Sequence, residues 1–185
     1  MRLTRRAAAL LLGGLPMLKA AASAAEPAGG ALQVLDPIRT ELVMNLVVTC
    51  SSPERPGPDT HGPDGMRDEI WPIVGGRFWG PNIRGEVIAG GGDFPYQRPD
   101  GVEWVDALYR LKTDDGVQII LHNRGMAYSE TEYRLAPQFT VTAGRYDWLN
   151  KSLFLATLIY PPPPEMRVAK GPNENDRLIQ VHRVL

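Results

Sequence analysis

Cysteine is nearly absent from this sequence of 185 residues, in which Cys50 is the only one. A single cysteine excludes the intrachain disulfide framework that stabilises many small secreted proteins. Because Cys50 ends the apolar stretch 42–49, we interpret it as a small buried core residue. A nucleophile and an intermolecular bridge are the alternatives that the sequence leaves open.

Long apolar runs are also missing, and a transmembrane helix needs about 20 apolar residues. The apolar run over residues 7–18 is broken by two glycines and a proline. It follows a basic start that includes Arg5 and Arg6, and it precedes the small-residue stretch 20–25. This order predicts a cleaved export signal over residues 1–25, by the twin-arginine or the general secretory route. We therefore expect a periplasmic or secreted protein with no stable membrane anchor.

Neither sign of charge is in large excess, with 20 basic and 21 acidic side chains. Residues 1–25 hold four of the basic and none of the acidic ones, so residues 26–185 have 16 basic against 21 acidic side chains. This negative balance argues against nucleic acid or an anionic membrane surface as the main partner. A segment of this length is expected to form a single domain with a real core.

The apolar period of 3.6 residues that marks helices is absent, whereas period-two and β-branched segments are frequent. Turn residues separate these segments, most clearly Asp114-Asp115-Gly116, which predicts a tight hairpin. A long loop rich in proline and glycine is expected at 51–67. Eight segments are predicted to be strands: 41–49, 70–74, 83–89, 102–112, 117–123, 139–142, 153–160 and 178–184. The expected fold is all-β, a single closed antiparallel β-barrel of about eight or more strands, because closure removes exposed strand edges.

Two glycine clusters, at 75–80 and 90–92, lack the Gly-Lys-Ser/Thr sequence of a phosphate-binding loop, and neither opens a helix. We interpret them as bends and bulges of barrel strands. The three histidines, His61, His122 and His182, lie on separate segments without the spacings of a zinc site. The sequence therefore predicts neither a metal nor a cofactor.

Four residues are candidates for catalysis. Asp93 follows a glycine cluster that could direct it into a cavity, and Asp106 interrupts an apolar strand. A carboxylate in such a place can have a raised pKa and act as a general acid or base. Tyr109 and Arg124 are the candidates for stabilising an oxyanion. The alternative is structural, with Asp93 capping a turn and Asp106 pairing with an arginine to fix the strand register.

Candidate substrate-binding residues are two aromatic side chains and two amides. Tyr146, Trp148 and Asn150 would share one face if the segment is extended, and Asn123 precedes Arg124. Aromatic walls with an amide are typical of a small-molecule pocket, but they are equally typical of a barrel core.

Several sequence blocks carry a family resemblance. They are 72–81, 85–93, 98–101, 106–109 with 114–116, 123–125, and 139 followed by 146–154. In these blocks the chain resembles the uncharacterised domain-of-unknown-function family numbered three-two-three-seven, a UPF-type family. The resemblance implies a calycin-like closed barrel and no settled activity. The family often has arginine where Leu108 stands, which implies that Asp106 lacks one charge partner here. Its members are commonly cytoplasmic, so the export signal and the long loop at 51–67 look like additions.

Two functions fit these observations. The first is a cofactor-independent enzyme of isomerase, lyase or hydrolase type that acts on a small oxygenated or aromatic metabolite inside the barrel. The second is a non-catalytic carrier that binds such a ligand unchanged. An interaction module would need an exposed apolar patch. Homo-oligomer formation is compatible with all three.

Overall fold

The computed structural model describes residues 37–57, 61–63, 65–67 and 69–185. The expected export signal at 1–25 lies outside these residues. Within them the chain forms eleven strands and two short 3-10 helices. The strands are β1 Thr40–Cys50, β2 His61–Gly62, β3 Gly65–Met66, β4 Trp71–Trp79, β5 Arg84–Asp93, β6 Tyr96–Gln97, β7 Glu103–Thr113, β8 Gln118–Ala127, β9 Glu132–Val141, β10 Phe154–Ile159 and β11 Asn175–Val184; the 3-10 helices are Asp147–Lys151 and Pro164–Met166.

Eight of these strands close into an antiparallel barrel, in the order β7-β5-β4-β1-β11-β10-β9-β8, and pairing of β8 with β7 completes the ring. The prediction of a closed antiparallel barrel is confirmed. Each of the eight predicted segments overlaps one barrel strand. The short strands β2, β3 and β6 extend the sheet beyond β7, and β2 and β3 lie in the expected long loop. No helix among the described residues has the length and apolar character needed to cross a membrane.

Strict alternation along the strands decides which side chains fill the barrel. In β7 the side chains of Val105, Tyr109 and Leu111 are buried, whereas those of Leu108 and Arg110 are exposed. Successive side chains of a strand point to opposite faces, so one apolar face turns inward and the polar one meets solvent. The predicted hairpin joins β7 to β8 and sets a register that pairs residue 112 with residue 118.

Gly75, Gly76 and residues 90–92 lie inside β4 and β5, whereas Gly80 follows the end of β4. The predicted strand ends before Gly75 and Gly90 are therefore wrong, because β4 and β5 continue through the clusters. The predicted bulges are confirmed, since the register shifts between Ile73 and Arg77 on β4 and between residues 88 and 92 on β5. At Gly91 the backbone of β5 approaches β7 so closely that a Cβ atom would lie 2.5 Å from the Cβ of Tyr109.

The two ends of the barrel differ. At one end, the 3-10 helix Asp147–Lys151 packs beside β9 and buries Leu149 in the core. At the other end, β5 finishes at Asp93 and β7 begins at Glu103, and here a cavity opens. The buried core between the ends is mostly aliphatic and aromatic, and it includes Met44, Leu46, Val48, Ile73, Phe78, Leu111, Ile119, Leu121, Phe139, Phe154, Ile179 and Val181.

Cys50 is buried in this core, which confirms the interpretation as a core residue. Burial raises the pKa of the thiol to about 11. The group is therefore a neutral thiol at physiological pH, which argues against the nucleophile alternative because the thiolate is the reactive form.

Candidate functional site

The open end of the barrel contains a cavity of about 130 Å³. A water molecule takes about 30 Å³, so the space holds about four waters or one small ring. Ligand pockets commonly have about 300–1,000 Å³. The mouth cavity is therefore smaller than a typical ligand pocket, and the barrel interior beside it holds a packed apolar core. The lining contains four charged and three aromatic residues: Glu69, Asp93, Glu103, Arg177, Trp71, Tyr133 and Tyr160.

Asp93 is the most deeply buried carboxylate of this cavity, with 7% of its surface exposed. It pairs with Ala107 of β7 and faces inward, and its Oδ1 accepts a hydrogen bond of 3.0 Å from the backbone N–H of Asp106. Burial raises the pKa of Asp93 to about 6, although this hydrogen bond and the positive charge of Arg177 both act to lower it. A carboxyl group with this pKa can give or accept a proton near neutral pH.

Arg177 provides the positive charge of the cavity. Its guanidinium carbon lies 4.6 Å from the centre of the Trp71 ring and 5.1 Å from that of Tyr160. Its side chain also donates a hydrogen bond to Asn175. Contacts with two aromatic rings and a neighbouring amide hold the guanidinium in place, and such a planar group binds carboxylate or enolate oxygens well.

Two further carboxylates lie at the rim and are both hydrogen-bonded. Glu69 accepts hydrogen bonds from the Trp71 indole at 3.1 Å and from Arg55 at 3.0 Å. Glu103 accepts a hydrogen bond of 3.1 Å from the Tyr133 hydroxyl. Burial, followed by the charge of Glu103, raises the pKa of Tyr133 to about 12, which keeps this hydroxyl a neutral donor.

Below the cavity lie two buried polar side chains from the candidate set. Tyr109 and Asn123 are almost fully buried, and neither the hydroxyl nor the amide forms a hydrogen bond of ordinary geometry to another described residue. Burial raises the pKa of Tyr109 far above its usual value, and the nearby Asn123 amide only partly offsets this. Of the candidates, the structure therefore groups Asp93, Tyr109 and Asn123 on the inside of the barrel.

Asp106 and Arg124 do not share this site, which corrects the expectation of one catalytic group. Asp106 on β7 and Arg124 on β8 are cross-strand partners. Both side chains point outward, because they alternate with the buried residues of their strands. Asp106 Oδ1 lies 2.7 Å from His122 Nε2 and 3.5 Å from Arg124 Nε. Asp106 thus pairs with an arginine across the two strands, as the structural alternative proposed, and the leucine at 108 does not leave it without a charge partner.

The three candidates between 146 and 150 lie at the closed end of the barrel, away from the mouth cavity, where Trp148 lines a concavity of about 200 Å³ and Tyr146 one of about 360 Å³. The segment is a 3-10 helix, not a strand, so these side chains diverge. The Tyr146 hydroxyl donates to Asp115 at 3.0 Å, and the Trp148 ring packs against Phe154 at a centroid distance of 6.0 Å. The Asn150 amide accepts from the Val141 N–H at 3.0 Å and donates to its carbonyl at 2.8 Å. The Asn150 contacts are structural, and a role of Tyr146 and Trp148 in substrate binding stays a prediction.

The sequence reasoning missed most of the mouth residues, although one signal was present. Arg177 has the same parity on β11 as the buried Ile179 and Val181. The predicted strand at 178–184 starts after Arg177, whereas β11 starts at Asn175. A predicted start at residue 175 would have placed Arg177 inside the barrel. Trp71 and Tyr160 lie near the ends of predicted strands, and Tyr133 lies outside all of them. Nothing in the local sequence around these aromatic residues indicates that they line the barrel mouth.

No group of three or more histidine, cysteine, aspartate or glutamate side chains able to hold an ion occurs in the described parts of the chain. The His61 side chain lies outside the described set.

The chain is similar in sequence to known proteins. The sequence model of a family described as "Protein of unknown function (DUF3237)" matches residues 38–168. A UPF0311 protein of Clostridium acetobutylicum is 28% identical over 132 residues, which are 62% of this chain and 82% of the relative. A UPF0311 protein of Rhodopseudomonas palustris is 30% identical over 105 residues, which are 48% of this chain and 69% of the relative.

Solved structures also resemble the chain. A conserved protein of unknown function from Rhodopseudomonas palustris has a TM-score of 0.65 at 26% identity, covering 81% of this chain and 99% of that one. A β-barrel-like protein from Acinetobacter baumannii has a TM-score of 0.63 at 22% identity, with coverages of 81% and 98%. An enzyme from Penicillium herquei has a TM-score of 0.58 at 22% identity, with coverages of 81% and 96%. The last two likenesses show the fold alone.

Proposed function

Because the chain belongs to the DUF3237 family of closed β-barrels, whose activity its name leaves open, we propose a function from the site itself. We propose an exported, cofactor-independent enzyme of isomerase, lyase or hydrolase type that acts on a small oxygenated or aromatic metabolite at the barrel mouth. Asp93 moves the proton, and Arg177 stabilises the oxyanion in place of the outward-facing Arg124.

The observation that carries this proposal is the state of Asp93. Its carboxyl group is buried in the wall of a cavity and keeps a pKa of about 6, even though Arg177 lies near enough to lower that value. A carboxylate that served only to hold the fold would gain more from full ionisation and a closer ion pair. Titratable groups with strongly shifted pKa values concentrate at functional sites.

The geometry supports a proton transfer that needs no other reactant. Ionised Asp93 takes a proton from a carbon next to a carbonyl group, and the electron pair of that C–H bond moves onto the carbonyl oxygen. The guanidinium of Arg177 stabilises the resulting enolate. Protonated Asp93 then returns the proton to another atom of the same molecule, so that substrate and product have equal composition.

Two features of the mouth support a substrate with a flat or unsaturated part. Trp71, Tyr133 and Tyr160 present aromatic surfaces around the cavity. The small volume admits only one end of a larger molecule, whose remainder would extend into solvent. The solved enzyme from Penicillium herquei supports catalysis as a property compatible with this fold, although fold alone does not transfer an activity.

The test uses untargeted mass spectrometry of host-cell extract incubated with the purified protein. The extract is separated by liquid chromatography before detection, and we expect some peaks to shrink while others grow, at an unchanged mass and a new retention time if the reaction is the isomerisation. Asp93→Asn should slow this conversion by about 10²–10⁴-fold. Asp106→Asn is the matched control, since it makes the same change on the outer side of the same wall and should keep the rate within a few-fold.

The pH dependence of the conversion then assigns the role of Asp93. A rate that rises as the pH passes through about 6 indicates a general base, and a rate that falls there indicates a general acid. Equal losses of conversion rate in Asp93→Asn and Asp106→Asn would contradict the assignment of catalysis to the inner face of the barrel wall. Ions that are retained on the protein unchanged would replace the enzyme with the carrier.

A further inference from the structure

A second concave surface lies on the outer wall of the barrel. It is a groove of about 530 Å³ between the outer face of β7 and β8 and the segments around Ile70 and Phe94. Glu69 and Pro95 separate it from the mouth cavity, which they also line. Nothing in the proposed proton transfer uses this groove.

The floor of the groove is apolar and accessible. Leu108 is 50% exposed although it lies in the middle of a barrel strand, and Phe94 is 43% exposed. Ile70, which pairs with Glu54 through an isolated bridge, contributes a further aliphatic wall. Exposed apolar side chains that line one concavity mark a binding surface more often than scattered ones do.

One edge of the groove is positively charged. Asp106 lies 2.7 Å from His122, 3.5 Å from the Nε of Arg124 and 3.9 Å from Arg67. Arg67 and His122 line the groove, and Arg124 lies beside them next to Asp106. Arg124 forms no hydrogen bond or ion pair with a described residue other than Asp106. This half-exposed guanidinium therefore offers donors to an anion at the edge of an apolar floor.

We propose that this outer groove binds a small amphiphilic carboxylate. The hydrocarbon part covers Leu108 and Phe94, and the carboxylate accepts hydrogen bonds from the Arg124 fork beside His122. A single negative charge is the complement of this edge, because Asp106 already neutralises part of its positive charge. The planar fork of arginine suits the two oxygens of a carboxylate.

The test titrates octanoate into the purified full chain while the Leu108 methyl and His122 ring signals are followed by NMR. 1-Octanol, with the same hydrocarbon length and no charge, is the matched probe. We expect octanoate to shift both signals and to bind more tightly than octanol. Arg124→Gln should weaken octanoate binding by about threefold to tenfold and leave octanol binding unchanged.

Two further variants keep the result interpretable. Leu108→Glu places a carboxylate on the exposed floor and should abolish binding of both probes, while the fold survives because the position is open to solvent. Arg145→Gln removes an exposed arginine at the closed end of the barrel and should change neither affinity.

Several outcomes would overturn the proposal. They are the absence of any shift at millimolar octanoate, equal affinities for the two probes in every variant, and shifts confined to Trp71 and Val105 in the mouth. Self-association of the chain through Leu108, detected as a concentration-dependent mass, would assign the groove to a second copy instead. Asp93→Asn should leave octanoate binding intact, so this test stands or falls independently of the proposed enzyme.

Discussion

The raised pKa of Asp93 predicts that the carboxylate destabilises the folded protein at neutral pH. In the folded chain this pKa is about 6, and the ordinary value is 3.8. Since folding raises the pKa, the contribution of the group to stability is fully present below pH 3.8 and is lost as the pH rises through about 6. A pKa shift of one unit corresponds to about 1.36 kcal/mol, so the shift from 3.8 to about 6 lowers the free energy of unfolding by about 3 kcal/mol.

Asp93→Asn removes this loss while it keeps an oxygen that can accept the hydrogen bond from the Asp106 N–H. We therefore expect the free energy of unfolding of the variant, relative to the wild type, to rise by about 2.4 kcal/mol between pH 4 and pH 7.5, since part of the loss has already occurred at pH 4. Above pH 7 the variant should be the more stable protein.

Urea denaturation followed by tryptophan fluorescence at five pH values measures this difference. Asp114→Asn, which removes an exposed carboxylate paired with Arg84, controls for the loss of one negative charge. A difference between Asp93→Asn and the wild type that stays constant from pH 4 to pH 7.5 would refute the argument that Asp93 carries a raised pKa.

Two predictions concern the scaffold, and both are measured by chemical denaturation. Gly91→Ala should cost about 2–4 kcal/mol or prevent folding, because the new Cβ would meet the β7 backbone and Tyr109 within 3 Å. Gly75→Ala, where the new atom meets nothing within 4 Å, is its control, and equal losses would refute the close-approach argument. Asn150→Ala should cost about 1–3 kcal/mol, since it leaves both Val141 backbone groups without their side-chain partner. Metabolite conversion should be unaffected by this change, and a selective loss of conversion would return Asn150 to the functional site.

Much of the fold was accessible from local patterns. Alternation in the β7 segment separated an apolar face from one that holds Asp106 and Leu108, and the Asp-Gly turn fixed the pairing of β7 with β8. Counting back from that turn pairs Asp106 with Arg124. The outward position of this pair was therefore implied by the sequence, since the opposite face of the strand is the apolar one.

Strand ends were predicted less well where glycines occur. The predicted strands end before Gly75 and Gly90, yet in a barrel glycine permits the bulges through which β4 and β5 continue. Tertiary closure overrides the local preference. The segment at 146–150 shows a similar effect, since its 3-10 turn is stabilised by Asn150 bonding to β9 rather than by any local period.

Local sequence accounts for the strands, for the main hairpin and for the outward face of Asp106, and it places Asp93 directly after a glycine run. The inward position of Asp93 depends on the closure of the barrel. The tertiary structure also brought Arg177, from the last strand, between Trp71 and Tyr160 at the mouth. The reason is physical: a site at the end of a barrel is assembled from residues far apart in the chain, and their proximity depends on the order and register in which eight strands close.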